Sequence, residues 1–203
     1  DGYIDEAIKL LLSTLAAASK HPRQYNDLGI LTGEIAYCMK VSEDFHLPEQ
    51  TVKFAYNAYK AELPQSSTTL DLGNICETLE MYSEAESLYL NSLTILHESD
   101  DKGIKTAEVL TNIGYLKKKL RDYSGAIKNY QEAFNLIGNS DNPSWRIKAI
   151  TIAFNLSRAF EETGDHESAK KWCALGLEMS EGLLDPEHSL LQALHDQKSD
   201  LES

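Results

Sequence analysis

The chain has 203 residues, 42% of them hydrophobic, which is enough to build the core of one domain or of two small ones. Its 32 acidic against 19 basic side chains leave a formal charge of −13, and this argues against a sequence-independent nucleic-acid binder, whose affinity comes from many lysines and arginines neutralising phosphates. Three widely separated cysteines, Cys38, Cys76 and Cys173, supply neither a disulfide framework nor a paired zinc motif and fit a reducing, cytoplasmic setting.

Residues 1–19 predict the second helix of a hairpin, centred on Ala7, so the chain reads as starting inside a repeat, as a piece of something longer. The apolar run Ile8 to Ala18 is broken by Lys9, Ser13 and Thr14 and falls short of the roughly 20 apolar residues a spanning helix needs, so no membrane insertion is expected. Acidic residues in the opening "DGYIDEA" occupy the place where a signal peptide would carry positive charge. Residues 24–64 read as a degenerate repeat, with helices over Tyr25 to Val41 and Pro48 to Leu63 joined by "SEDFHL".

Three better repeats follow, at 66–98, 104–138 and 145–181, anchored on Ala85, Ala126 and Ala169 at spacings of 41 and 43 residues. Twelve residues before each anchor stands a small residue, Gly73, Gly114 or Ser157, and seven after it another, Ser92, Ala133 or Gly176. Antiparallel helices cross closely only where side chains are small, so these positions mark the lines of closest contact. The turns "LRDYSG" and "ETGDHES" offer Gly, Asp and Ser for turn geometry and an N-cap. Each unit is therefore predicted to be a helical hairpin, and such hairpins bury their apolar faces only by stacking. Residues 185–200 close the series as a capping helix with a polar outer face, Asp185 at its N-cap and Pro186 at its first position.

The pattern resembles the tetratricopeptide repeat family. Leu110, Ile113, Gly114, Ala126, Tyr130 and Ala133 match its signature in one unit; Leu72, Gly73, Ala85 and Tyr89, and Leu156, Phe160 and Ala169, match it less fully. Two departures stand out: Lys117 occupies a place where the family has an aromatic, and Cys173 the place of Tyr89 and Tyr130. A repeat near 42 residues, longer than the commonest form, is similar to the kinesin light chain class. The resemblance implies an all-α, right-handed solenoid in one domain over 1–203.

No phosphate loop, catalytic motif or zinc spacing occurs, so no enzyme, cofactor or metal is expected. His188 and His195, with Glu187 or Asp196, are better read as a polar helix face than as a metal site, and Cys76 and Cys173 as small core hydrophobes.

What the resemblance implies instead is a non-enzymatic interaction module, a scaffold or adaptor that holds a partner's peptide in a concave groove. Carried over by position, the groove residues are Asp71, Asn74 and Thr78 in one unit. The next supplies Asn112, Tyr115, Lys118 and Lys119, and the last Phe154, Asn155, Arg158 and Glu162. Asn112 and Asn155 stand where family members hold a peptide backbone. From Lys102 to Tyr130 seven basic residues face two acidic ones, whereas Leu177 to Ser203 carries seven acidic residues and Lys198 alone, so an acidic peptide suits the central groove. A chaperone-type carboxylate clamp is disfavoured by Glu108, Thr151 and Asp71 at positions where it wants lysine or no carboxylate. The alternatives are an architectural subunit docking through its convex face or ends and a fragment of a bacterial signalling-peptide receptor. Self-association through the solenoid ends stays open.

Overall fold

The computed structural model describes residues 80–98 and 103–202, and individually Leu70, Gly73, Asn74, Cys76 and Glu77. The expected half-repeat at 1–19, the degenerate pair at 24–64, Cys38, Asp71, Leu72 and Thr78 lie outside the described residues. The helices with both ends among the described residues are α1 (Tyr82–Glu98), α2 (Ile104–Lys119), α3 (Tyr123–Ile137), α4 (Pro143–Glu162), α5 (His166–Ser180) and α6 (Ser189–Glu202), and no strand occurs among the described residues. The fold class is all-α, of the stacked-hairpin solenoid type. The chain forms two compact units, Asp1–Ile95, which holds most of α1, and Leu96–Ser203, which holds α2 to α6. Among the described residues no helix is long and apolar enough to cross a membrane.

Three helix ends are closed in the same way. At the end of α2 the Asp122 N–H donates to the Lys117 carbonyl at 2.8 Å and the Arg121 N–H to the Lys118 carbonyl at 3.0 Å, a Schellman pair around a left-handed residue, Arg121 at φ 61°. The end of α4 repeats it, with Asp165 donating to Phe160 and Gly164 to Glu161 around Gly164 at φ 79°. The helix preceding α1 ends likewise, with Met81 donating to Cys76 and Glu80 to Glu77 around Glu80 at φ 60°. The next helix then starts at once. Asp122 caps α3 by accepting from the Gly125 N–H at 2.9 Å, and Asp165 caps α5 by accepting from the Ser168 N–H at 3.0 Å. These junctions are the expected Gly-Asp-Ser turns, but only Gly164 supplies a glycine at the left-handed position.

Within each hairpin the helices meet where the small residues predict. A Cβ on Gly114 would lie 2.7 Å from the Tyr130 ring, and one on Gly73 would lie 2.4 Å from the Tyr89 ring, so each tyrosine ring lies close against the opposing backbone. Tyr89, Tyr130, Ala85, Ala126 and Ala133 are fully buried. The hairpin of α4 and α5 solves the same contact differently. Ser157 replaces the glycine and donates its hydroxyl to the Ala169 carbonyl at 2.9 Å, while Cys173 replaces the tyrosine and directs its thiol to the Leu194 carbonyl at 3.4 Å. The volume a ring would occupy is shared with α6, because Leu194 is fully buried and reaches within 2.9 Å of where a Gly176 Cβ would stand.

In the second unit α3 packs on α4, and α6 packs on α5. Phe134 and Trp172 meet edge to face at 5.0 Å, and the Arg146 guanidinium donates to the Met179 carbonyl at 3.2 Å, satisfying a carbonyl in the last turn of α5. The buried Gln197 donates to the Glu161 carboxylate at 2.9 Å and ties α6 to the end of α4.

The start of α6 differs from the expectation. Asp185 and Pro186 do not cap it: the His188 N–H donates to the Asp185 carbonyl at 2.9 Å, making a separate turn with Pro186 as its second residue. The helix begins at Ser189, with His188 Nδ1 accepting from the Leu190 N–H at 3.2 Å. A proline's fixed φ suits the second position of a turn as well as the first of a helix, and here the histidine supplies the cap.

Candidate interaction face on α2 and α4

The exposed seam between α2 and α4 carries most of the residues the sequence assigns to a groove, and it changes character along its length. At its start Lys148 donates to the Glu108 carboxylate at 3.1 Å, an ion pair across one repeat. Both groups are about two-fifths exposed, so the pair contributes less than about 1 kcal/mol, but it neutralises this end. Thr111 and Thr151 follow, each hydroxyl donating to the carbonyl four residues back, Ala107 at 2.7 Å and Ile147 at 3.1 Å. Asn112 and Asn155 are half-buried at the next level.

The far end is cationic and aromatic. Tyr115 is exposed, and the ammonium groups of Lys118 and Lys119 each lie 5.3 Å from the centre of its ring. Across the seam the Arg158 guanidinium lies 6.0 Å from the Phe154 ring. Burial first, and then the neighbouring Arg158, lower the pKa of Lys118; Glu162 opposes the shift and Lys119 adds to it. Among the described residues none of Lys118, Lys119 and Arg158 has an ion-pair partner. Burial and then the neighbouring Glu162 carboxylate raise the Tyr123 phenol.

Lys117 has a different role. Its ammonium sits 3.3 Å from Asp122, the residue that caps α3, and its stem passes beside Gly125, where a Cβ would come within 2.8 Å of it. The position expected to hold an aromatic holds a lysine that braces the turn.

Asn74 belongs to the other compact unit. Its side-chain oxygen lies 2.8 Å from the Tyr89 hydroxyl, and the Glu77 carboxylate lies 3.0 Å from the same group, so this asparagine takes part in holding its own hairpin. Burial and then Glu77 push the Tyr89 phenol far above its ordinary range. Sequence reasoning did not single out Lys148 or Tyr123. Lys148 carries a usable signal, since it stands 40 residues after Glu108, about one repeat, with the opposite charge.

Little else here suggests chemistry. Burial, then Glu84, pushes the Cys76 thiol up to about 11, and burial raises Cys173 as well. Among the described residues no three His, Cys, Asp or Glu side chains gather where they could hold a metal ion. A cleft of about 350 Å³ between α5 and α6, lined by Cys173, Leu177, Leu201, Glu178 and Lys198, mixes both charge signs.

Sequence models described as tetratricopeptide repeat match residues 65–137 and 150–182, together more than half of the chain. That family is a non-catalytic protein-interaction fold. No curated protein matches the chain by sequence. Among solved structures it is similar to BtubC (BKLC) from P. vanneervenii, with a TM-score of 0.64 and 19% identity over 97% of this chain and 86% of that one. It is also similar to MamA, with a TM-score of 0.58 and 15% identity over 93% and 88%. A putative kinesin light chain with nearly identical TPR-like repeats from Podosopora anserina gives 0.57 and 12% identity over 96% and 85%. At these identities the likeness is one of fold.

Proposed function

We propose that this chain, which belongs to the tetratricopeptide repeat family, is a scaffold or adaptor that holds an acidic peptide segment of a protein partner along the α2 and α4 face. The observation that carries this reading is the company of Lys118, Lys119 and Arg158. In a chain of net charge −13, three cations share one end of one seam with no carboxylate in ion-pair contact among the described residues, and two aromatic rings lie beneath them. Leaving cations together and unpaired costs repulsion that a bound anion relieves. Asn112 and Asn155, one repeat apart, supply amides able to donate to and accept from an extended backbone.

The test is co-purification of partners with the wild type and with a variant carrying Asn112→Ala, Lys119→Ala and Asn155→Ala together. Loss of a partner that the wild type retains supports the reading. An unchanged set of partners contradicts it and favours docking through another face.

A further inference from the structure

We infer that the cationic end of this face takes a phosphoryl dianion, carried on a phosphorylated side chain of the partner. The inference rests on the peptide-binding reading above and names what that peptide presents at one end.

The argument is one of charge and position. The charged groups that act on Lys118 are Arg158, Glu162 and Lys119, which with Lys118 itself make three positive and one negative. These four groups sum to +2 and lie near the C-terminal ends of α2 and α4. A single carboxylate neutralises half of that balance. A phosphoryl group carries about −1.5 to −2 at neutral pH on three acceptor oxygens, which matches the balance in one substituent. An arginine and two lysines from two different helices also suit it chemically: the planar guanidinium accepts a bidentate oxygen pair and the ammonium groups donate from other directions. At the opposite end the Lys148–Glu108 pair is already neutral, so a ligand finds one charged anchor and a polar run rather than a uniformly basic trough. Tyr115, packed against both ammonium groups, limits the spread of those two side chains and so holds the charge together.

The test uses the full chain and three immobilised peptide mixtures with randomised flanks and a fixed centre of phosphoserine, serine or two adjacent glutamates. The expected result is retention on the phosphoserine mixture about tenfold above serine and severalfold above the glutamate pair, with inorganic phosphate competing. In the variant Lys119→Ala/Arg158→Ala the preference should fall to near unity. Both side chains are exposed, so their removal leaves the core intact, and an unchanged thermal unfolding curve verifies it. Equal retention on all three mixtures, or a phosphoserine preference that survives in the variant, overturns the inference. Equal retention of the phosphoserine and glutamate mixtures, lost on Asn112→Ala/Asn155→Ala, overturns it while leaving the peptide-binding reading standing.

Discussion

The Tyr130 ring lies against the backbone of Gly114, so closely that a Cβ on the glycine would stand 2.7 Å from two ring carbons. Two opposing effects decide what Gly114→Ala does. Alanine favours the helix by about 1 kcal/mol over glycine, whereas forcing a methyl into a filled contact costs about 1–3 kcal/mol. The ring is fully buried, so the clash outweighs the propensity gain, and a net loss of up to about 2 kcal/mol is expected in thermal or urea unfolding.

The neighbouring hairpin states how the contact can be rewritten. Since Ser157 and Cys173 replace glycine and tyrosine together, Gly114→Ser and Tyr130→Cys should compensate in part. A double-mutant cycle should return a favourable coupling of about 1 kcal/mol, and strict additivity would show that the two substitutions in α4 and α5 are unrelated.

The left-handed turn residues give a second pair of outcomes. Gly164 at φ 79° has nothing within 4 Å of where its Cβ would stand, so Gly164→Ala isolates backbone strain and should cost about 1 kcal/mol. Arg121 already bears that strain at φ 61°, and Arg121→Gly should raise the melting temperature. Both are read by circular dichroism.

Capping predicts a pH dependence. The Gly125 N–H and then Lys117 hold Asp122 below the usual carboxylate range, and Ser168 does the same for Asp165. A folded pKa below the unfolded value of about 3.9 means that the stabilisation is present above that value and is lost as pH falls through the folded one. Asp122→Asn/Asp165→Asn keeps both caps and removes the titration. The variant's melting temperature should therefore fall less than the wild type's between pH 5 and pH 2.5, and parallel curves would contradict the assignment.

How much of this was legible in the sequence depends on the residue. The hairpins followed from small residues at fixed spacing, because a glycine facing an aromatic is a steric requirement that composition reveals. The turns were only half legible. Asp122 and Asp165 announce themselves as caps, but Arg121 and Glu80 adopt a conformation that nothing in their chemistry advertises. At α6 the tetrad "DPEH" suits a helix start and a reverse turn equally, and His188 decides it through a contact that no spacing rule contains. For the candidate face, family position indicated the residues on α2 and α4. That Lys118, Lys119 and Arg158 lack ion-pair partners among the described residues, while Lys117 and Lys148 have them, needed the three-dimensional arrangement.

Thiol reactivity offers an independent check on the core. Cys76 and Cys173 are buried, with pKa values raised by that burial, so iodoacetamide at pH 8 should label neither in the folded chain and both after unfolding. Site-resolved mass spectrometry reads the outcome, and rapid native labelling of Cys173 would contradict its placement beneath α6.

The central claim, that the α2 and α4 face binds the partner, is tested most directly by a photo-crosslinking residue placed in turn at Tyr115 on α2 and at Leu136 on α3. The two positions are matched in exposure, 38% and 40%, so a difference in yield reports location and not access. A crosslink to the co-purified partner from position 115 and none from 136 is the expected result. A crosslink from 136 with none from 115 would contradict it.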